Sequence, residues 1–324
     1  MKKIVNNERM TLRVCDLYYN RDISQSEIAK MMEISRPTVA KLLKSAKQKR
    51  IVEITISDPQ MRKYSDLERK LEKLFHLQEV IVADTVDDDQ QKDVLAEKAA
   101  GYLKSILKDQ DVIGVGMGTT LQYIAPYAAA MFQDLTFVPL IGGVGNMEVT
   151  LNANYVVDVL AKAFGGEGMR LYVPAVVSHT QTKKTLMKEE SIRKVMNYYD
   201  RLDVVMVGIG TGDERSSAFQ SGYYSKEMKE CVRDTEVCGD ICMRLFDKDG
   251  NTDRFEYNRQ VFGINLNKLK KVPYAIGIAS GTYKAKAIHG AIRGGYINVL
   301  VTDARCAEAL YQMEMKETSM IGNG

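Results

Sequence analysis

The sequence predicts an α/β protein with a small helical N-terminal domain and a larger domain built on a doubly wound, mostly parallel sheet. Short β-rich runs alternate with helical segments from residue 79 onward, and glycines follow several of these runs. Residues 1–60 carry a net charge of +5, whereas the remainder carries −2. This difference separates a basic head from a nearly neutral body, and 324 residues can form one small and one large domain.

The N-terminal region predicts three helices. Residues 8–19 contain no helix breaker and form the first. Ser24 and Glu27 have the spacing of a capping box, so a second helix begins at Ser24 and runs to about residue 32. Ser35 is a favourable N-cap and Pro37 falls in the first turn of a third helix, where its missing N–H costs nothing.

The third helix has one apolar face, formed by Val39, Leu42, Leu43 and Ala46, and a basic outer face. Residues 36–50 hold six basic residues and no acid. A basic run alone is more often a solvated helix surface. Here the two caps, the short turn and the apolar face are all in register, which is typical of a helix-turn-helix that binds DNA.

Several residues of this motif are candidates for contact with operator DNA. Lysines and Arg36 would neutralise phosphates, while residues near the start of the third helix would reach base edges. The expected set is Ser24, Gln25, Ser35, Arg36, Thr38, Lys41 and Lys44. One departure from the usual pattern is Glu33, at a turn position where many such motifs have glycine, which indicates a turn of different shape.

Residues 51–56 alternate in polarity and predict a short strand, or wing, that packs on the helices. The expected organisation is a winged helix-turn-helix domain over 1–58, a linker helix within 59–78 and a larger α/β domain over 79–324, to which the family resemblance described below assigns the effector and oligomerisation roles. The leucine stripe Leu67, Leu71 and Leu74 in the linker is consistent with ordinary packing or with pairing of subunits.

The sequence from residue 79 onward predicts alternating strands and helices. The expected strands are 80–83, 112–115, 136–140, 171–173, 204–207, 274–278 and 298–301. The expected helices include 92–107, 152–164, 189–199 and 284–292. This alternation is typical of a parallel sheet covered on both faces, whose ligands bind at the carboxyl ends of the strands.

A glycine-rich segment at 114–120 follows one predicted strand and precedes an expected helix. Gly116 and Gly118 would let backbone amides approach an anion, and the hydroxyls of Thr119 and Thr120 could complete a phosphate site. The spacing matches neither a dinucleotide fingerprint nor a Walker loop. A tight strand-to-helix turn explains the glycines equally well, so the segment alone leaves both interpretations open.

Other candidates follow later strands. Gly142 and Gly143 come after the third strand, and a further glycine cluster spans 208–212. Lys284 opens a helix just after a strand and a glycine, where it could bind phosphate, although a single lysine is commonly a solvated surface residue. Asp247 lies in an expected turn and could also accept hydrogen bonds from sugar hydroxyls.

Composition argues against several other classes of protein. Five scattered cysteines, an odd number, indicate reduced thiols in the cytoplasm. Three residues separate Cys238 from Cys242 and the three histidines are far apart, so neither a metal nor a cofactor is expected. No apolar run approaches the ~18 residues needed to cross a bilayer, and the N-terminus lacks the apolar core of a signal peptide.

With these motifs in view, the chain resembles the SorC family of bacterial transcriptional regulators over nearly its whole length. The N-terminal segment YYNRDISQSEIAKMMEISRPTVAKLLKSAKQKRIVEITI is similar to the DNA-binding module of that family. The C-terminal pattern is carried by GVGMGTTL (114–121), PLIGGVG (139–145), GDICMRLFDKDGN (239–251) and a long final segment (278–310). Four such motifs in this order make the resemblance specific.

The resemblance implies a sugar-isomerase-like effector domain that binds a phosphorylated sugar, and homo-oligomers, usually tetramers, that bind operator DNA. In the family pattern, Gly116, Gly118, Thr119 and Thr120 would hold the phosphate together with Lys284. Gly142 and Gly143 would line the pocket, and Asp247 would contact the sugar hydroxyls. No cofactor is implied.

The residue before the Gly142–Gly143 pair departs from two branches of the family. It is a lysine that forms a Schiff base in one branch and an arginine that binds a second phosphate in another, whereas this chain has Ile141. Isoleucine can do neither. The departure predicts reversible binding of a mono-phosphorylated sugar or polyol.

Two alternatives remain at the level of sequence. The body could be an active sugar-phosphate isomerase or deaminase, for which His179 or Glu148 would have to serve as general base. It could instead belong to an architectural DNA-binding protein and serve only for oligomerisation. No carboxylate–histidine arrangement around the glycine loops compels the enzyme, and the basic head argues against it. The glycine-rich loops and Lys284 argue against the architectural protein, so the sugar-phosphate-responsive regulator is favoured.

Overall fold

The fold was analysed in a computed structural model that describes residues 8–49, 51–52, 63–129, 131–143, 150, 152–211, 230 and 236–321. The chain divides into two compact units, residues 1–62 and residues 63–324. Each unit has its own apolar core.

The first unit contains the three predicted helices. They are α1 (Glu8–Cys15), which continues as a π-helical turn over Asp16–Asn20, α2 (Gln25–Met31) and α3 (Arg36–Gln48). Their shared core is fully buried at Val14, Ile28, Val39, Leu42 and Ala46. The apolar face predicted for α3 is therefore the face that packs on α1 and α2.

The predicted caps are confirmed. The backbone N–H of Glu27 donates to Ser24 Oγ (3.3 Å), and the Ser24 backbone N–H donates to Glu27 Oε2 (3.1 Å). The backbone N–H of Thr38 likewise donates to Ser35 Oγ (3.3 Å) at the start of α3. Between the helices, Glu33 takes a left-handed backbone conformation with φ of 55°, the conformation that glycine usually supplies.

The predicted wing lies almost entirely outside the described residues. Its first two positions, Ile51 and Val52, are partly buried against the core of this unit. The Ile51 backbone N–H donates to the carbonyl of Ala46 (2.9 Å), so the chain turns back onto α3 as it leaves that helix.

The second unit is built on a seven-stranded parallel sheet, as predicted. Its strand order is β1-β10-β9-β5-β2-β3-β4. The strands are β1 (Glu79–Ala83), β2 (Val112–Val115), β3 (Thr136–Pro139), β4 (Glu167–Gly168), β5 (Val204–Gly208), β9 (Tyr274–Ile278) and β10 (Val299–Asp303). Three short strands, β6 (Gly210–Thr211), β7 (Gly239–Ile241) and β8 (Arg244–Phe246), form a separate antiparallel sheet that the sequence analysis did not predict.

Helices cover both faces of the parallel sheet. They are α4 (Ser65–Phe75), α5 (Asp88–Ile106), α6 (Ala153–Phe164), α7 (Thr180–Leu186), α8 (Glu190–Met196), α9 (Leu266–Leu269), α10 (Ala285–Arg293) and α11 (Ala304–Ile321). Alternate strand residues contribute to different cores: Val204 and Met206 pack with α5 and α6, whereas Val205 and Val207 pack on the opposite side. Because both faces of these strands are buried in an apolar core, consecutive residues are apolar, and the strands form continuous apolar runs in the sequence.

One predicted strand is wrong. Residues 171–173 form no strand, and the sheet edge is β4 instead. The side-chain amide of Asn154 forms two hydrogen bonds with the backbone of Leu171. Its oxygen accepts the Leu171 N–H (2.8 Å), and its nitrogen donates to the Leu171 carbonyl (3.2 Å). Because a side chain satisfies these groups, the apolar run does not need a neighbouring strand.

Helix α4, predicted as a linker helix, packs within the second unit. Leu71 is fully buried in its core. Glu68 and Glu72 accept the backbone N–H groups of Val82 (2.9 Å) and Val80 (3.0 Å) on edge strand β1. The helix thus covers an edge that would otherwise present free backbone donors.

Candidate functional site

The order of the parallel strands locates a ligand site before any side chain is considered. The chain runs outward from β2 through β3 to β4, and then returns to β5 on the other side of β2 before continuing to β9 and β10. The direction of winding therefore reverses between β2 and β5. In open parallel sheets, ligands bind beyond the carboxyl ends of the strands at such a reversal.

A pocket lies at this switch point, and we call it the switch-point pocket. It is formed by the segments that follow β2, β5 and β9 together with the β7–β8 hairpin. Its lining residues are Met117, Gly118, Thr119, Thr120, Leu121, Gly208, Ile209, Gly210, Asp240, Cys242, Met243, Ile278 and Lys284. The sequence placed these glycines and Lys284 after different strands, and the fold brings them to one pocket.

The segment after β2 is shaped by its two glycines. The backbone N–H of Gly116 donates to the carbonyl of Met206 on β5 (2.8 Å), so the hydrogen bonding between β2 and β5 continues one residue past the end of β2. Gly118 has φ of +135°, which a residue with a side chain rarely adopts. This turn directs Thr119 and Thr120 to the pocket, and among the described residues neither hydroxyl has a hydrogen-bond partner.

Lys284 reaches the pocket through a loop fixed by Asp303, a buried residue at the end of β10. The Gly281 backbone N–H, at φ of +95°, donates to Asp303 Oδ2 (2.5 Å). The other oxygen of Asp303 accepts the backbone N–H groups of Arg305 (3.0 Å) and Cys306 (3.1 Å) at the start of α11. A single carboxylate therefore ties the Lys284 loop to the helix that follows the neighbouring strand.

The ammonium of Lys284 lies in a poorly solvated environment. Burial lowers the pKa of Lys284, and the nearby carboxylate of Asp240 opposes that shift. A partly buried cation in the same pocket as two threonine hydroxyls would gain from an anionic ligand. This combination suits a phosphate group.

Asp240 is a pocket residue that the sequence analysis missed. It is 6% exposed, and its Oδ2 accepts the backbone N–H of Met243 (3.2 Å). A side chain at Gly210 would collide with Asp240 Oδ1, so a glycine is needed opposite this carboxylate. The available signal was the GDI sequence at 239–241, but a strand of three residues does not reveal which way its acid points.

Gly142 and Gly143 lie beyond β3, and neither is among the described residues that line the switch-point pocket. A Cβ at Gly142 would lie 2.5 Å from the carbonyl oxygen of Val173, so this glycine permits close packing of two backbone segments. The backbone N–H of Gly143 donates to the same carbonyl (2.8 Å). Ile141, immediately before them, is fully buried in the core.

Asp247 also lies outside the described lining, and it holds a turn together, as its sequence indicated. Its Oδ1 accepts the backbone N–H groups of Asp249 (3.0 Å) and Asn251 (2.8 Å). The side-chain amide of Asn251 donates to both oxygens, at 3.3 and 3.2 Å. These contacts leave Asp247 with a structural role in the described residues, and its contact with a sugar remains a prediction.

The predicted DNA-contacting residues fall into two groups. Arg36, Lys41 and Lys44 are exposed on α3, and no carboxylate of the described residues forms an ion pair with them. Ser24 and Ser35 instead use their hydroxyls as helix caps, and Ser35 Oγ lies 2.8 Å from Thr38 Oγ1. Gln25 is half-buried at the first position of α2.

The candidate general bases do not assemble at the pocket. His179 is exposed at the start of α7 and is not a lining residue, and Glu148 lies outside the described residues. Cys15, Cys238, Cys242 and Cys306 are free thiols. Burial raises the pKa of Cys242, the thiol in the pocket, to about 12, so it is a poor nucleophile at neutral pH.

Within the described part of the chain, no helix combines the length and the apolar character required to cross a membrane.

Comparison with known proteins gives a consistent assignment. Residues 60–312 match the family model described as "Putative sugar-binding domain". The chain is 31% identical over 309 residues to the deoxyribonucleoside regulator of Bacillus subtilis, covering 94% of this chain and 97% of that protein. It is 30% identical over 310 residues to the sorbitol operon regulator of Klebsiella pneumoniae, covering 93% and 97%.

The structural comparison agrees over the same extent. The full-length sorbitol operon regulator SorC from Klebsiella pneumoniae superposes with a TM-score of 0.73 at 29% identity, covering 94% of this chain and 98% of that one. The similarity therefore includes both the N-terminal unit and the body.

Proposed function

Because the chain belongs to the SorC family of transcriptional regulators, we propose that it binds operator DNA through α3 under the control of a mono-phosphorylated sugar or polyol bound reversibly in the switch-point pocket. The chain is a transcriptional regulator with a sugar-binding domain and not an enzyme. The proposal concerns the chemical class of the effector, the binding of operator DNA through α3 and the oligomeric state.

The observation that carries the effector proposal is the convergence of Lys284, Thr119 and Thr120 at the switch point. A phosphate there would accept charge-assisted hydrogen bonds from the lysine and hydrogen bonds from the two hydroxyls. Asp240, on the β7–β8 hairpin that lines the same pocket, is suited to accept hydrogen bonds from ligand hydroxyls. A phosphate at one end and hydroxyls at the other describe a phosphorylated sugar or polyol.

The buried position of Ile141 supports a single phosphate. An isoleucine supplies no positive charge for a second phosphate and no amine for an imine. Its side chain is fully buried in the apolar core. A sugar bisphosphate should therefore bind more weakly than the matching monophosphate.

DNA binding is supported by the exposed cations of α3. Lys41 and Lys44 project from the face opposite the buried Val39 and Leu42, and Arg36 is exposed in the first turn of the helix. Unpaired, exposed cations on one helix face can neutralise DNA phosphates and release counterions. A single helix-turn-helix reads a short half-site, so we propose that the protein acts as a homo-oligomer, a dimer or a tetramer.

Thermal unfolding of the full-length protein tests the effector proposal. A panel of sugar monophosphates should be compared with the matching bisphosphates and unphosphorylated sugars. At 100 times its dissociation constant, the true effector should stabilise the folded state by ~2.7 kcal/mol. Stabilisation by a free sugar and not by its phosphate, or best by a bisphosphate, would contradict the proposal.

A further inference from the structure

A second cleft in the body has a different lining and a different electrostatic character. Its volume is about 710 Å3, and it lies between α7, β8 and the segment around α9. Lys183, Tyr199, Arg244, Asn265 and Lys268 are among its lining residues, and none of its described lining residues belongs to the switch-point pocket. A cleft of this size can hold a small metabolite.

Arg244 is a poorly solvated cation in this cleft, and its hydrogen bonds within the described part of the chain all go to backbone carbonyls. Its Nε donates to Ile264 (2.6 Å) and its Nη1 to Asn258 (2.6 Å). Its Nη2 donates to Val261 (3.2 Å) and Gly263 (3.3 Å). Burial lowers the pKa of Arg244, and within the described residues no carboxylate forms an ion pair with it.

Lys183 lies beside Arg244 and shares one of its acceptors. Its Nζ donates to the carbonyl of Val261 (2.6 Å) and more weakly to that of Arg259 (3.4 Å). Burial, followed by the repulsion of Arg244, lowers the pKa of Lys183 to about 8. Two poorly solvated cations therefore meet at one carbonyl oxygen.

The acids that the structure describes at the rim do not balance this charge. Asp200 pairs with Lys268 (2.6 Å), and Glu256 lies 3.8 Å from Arg259. Asp253 lines the cleft but is exposed, and it is not among the ion-pair partners of Lys183 or Arg244. Tyr199 donates its hydroxyl to the carbonyl of Pro139 (2.8 Å), and burial raises its pKa, so it remains neutral.

Buried or half-buried cations in proteins are normally balanced by an acid or by a bound anion, because unpaired charge in a poorly solvated site is costly. Carbonyl oxygens lower this cost but carry no net charge. We propose that the cleft between Lys183 and Arg244 is a second ligand site, which binds a small oxyanion carrying a carboxylate or a phosphate group. Lys183 has three donors and uses two on carbonyls, so one remains for the anion.

This site is close in sequence and structure to the switch-point pocket. Arg244 follows directly after Cys242 and Met243, which line that pocket, and β7 and β8 are paired strands. Arg244 is paired with Ile241, the residue that follows Asp240, so an anion in the cleft would lie beside the same hairpin that carries Asp240.

The test is isothermal titration calorimetry of the full-length protein with inorganic phosphate and, separately, with succinate. The two probes distinguish a phosphate from a carboxylate site. Because phosphate can also enter the switch-point pocket, the titrations are made in Lys284→Met, which removes the cation of that pocket. In this background the additional change Lys183→Met should weaken binding at least about tenfold, whereas Lys184→Met, an exposed neighbour on α7, should leave it unchanged.

Proton uptake gives a second readout that a merely structural role of Lys183 would not produce. At about pH 8, near the lowered pKa of Lys183, this amine is partly protonated in the free protein, and a bound anion favours its charged form. Binding should therefore take up a fraction of a proton, detected by repeating the titration in buffers of different ionisation enthalpy. Lys183→Met should abolish this uptake.

Replacing a poorly solvated lysine by methionine of similar volume should preserve the fold, and a thermal unfolding curve of the variant verifies this. The proposal is overturned if neither phosphate nor succinate binds in the Lys284→Met background. It is also overturned if either binds with equal affinity and equal proton uptake after Lys183→Met.

Discussion

The two positively charged regions that would bind phosphate differ in how they hold their charge. On α3, Arg36, Lys41 and Lys44 stand exposed around a buried apolar stripe. In the switch-point pocket, Lys284 is the one cation among the lining residues that the structure describes, and burial lowers its pKa. The first region presents many weak contacts to an extended polyanion, and the second presents one strong contact to a small anion.

The difference shows why the two regions were unequally visible in the sequence. A charge run on a helix with clear caps is a local pattern. A single lysine becomes meaningful only when the fold places Thr119 and Thr120 beside it. The same difference sets how each region should respond to mutation, pH and salt.

The largest expected effect is that of Lys284→Met on effector binding. The variant loses a charge-assisted contact in a poorly solvated pocket. Its binding of a sugar monophosphate should be weaker than that of the wild type by about 1.5–3 kcal/mol, or ~10- to 150-fold. Calorimetry measures this loss. Lys286→Met, at an exposed position of the adjoining α10, should bind like the wild type. Equal losses in both variants would mean that general charge, rather than a specific contact, holds the ligand.

The second prediction concerns pH. The pKa of Lys284 lies below that of an ordinary lysine because of burial, so the free protein loses this charge as pH rises through the lowered value. Effector affinity should therefore fall with rising pH while the phosphate, with a second pKa near ~6, stays dianionic. Dissociation constants measured between about pH 7 and 10 should show the fall in wild type and a flat profile in Lys284→Met. A flat wild-type profile would contradict an ionic contact from Lys284.

A smaller effect is expected from any one cation of α3. Lys44→Ala should weaken DNA binding by a similar factor for all sequences, because it removes one phosphate contact. The slope of log K against log[salt] should decrease in magnitude by ~1. Lys104→Ala, at an exposed position on α5 of the body, serves as the control. A sequence-dependent loss with an unchanged salt slope would instead indicate base contact by Lys44.

The smallest expected effect is on stability. Glu33 adopts φ of 55°, a conformation that is costly for a residue with a side chain. Glu33→Gly should relieve this strain and stabilise the N-terminal unit by about 0.5 kcal/mol after the greater entropy of an unfolded glycine is counted. Chemical denaturation measures it, and Glu33→Gln separates the backbone effect from the loss of charge. Stabilisation by Gln equal to that by Gly would assign the effect to charge.

Much of the fold could be predicted from local patterns. The boundaries of α2, α3, β2 and β9 follow from caps, apolar periodicity and β-rich runs. The antiparallel β6–β7–β8 sheet could not be predicted, since its strands have two or three residues and are defined by pairing across the chain. The false strand at 171–173 has the same origin, because a distant side chain, Asn154, satisfies its backbone.

The site was predicted in part for a related reason. Strand ends could be read from the sequence, which located Gly118, Thr119 and Lys284. The direction in which a single acid points from a short strand could not be read from the sequence, so Asp240 was missed. Asp247 was predicted instead, although its oxygens accept hydrogen bonds within its own turn. The cleft at Lys183 and Arg244 was invisible in the sequence because the atoms they contact are backbone carbonyls.

The central claim is that ligand binding at Lys284 controls DNA binding at α3. The direct test uses an operator DNA selected by its binding to the full-length protein. The affinity for this DNA is measured by fluorescence anisotropy with and without the sugar monophosphate that stabilises the protein. The account predicts a change of ~5- to 150-fold in the wild type and none in Lys284→Met, whose ligand-free DNA affinity should be normal. An identical operator affinity with and without saturating ligand in the wild type would contradict it.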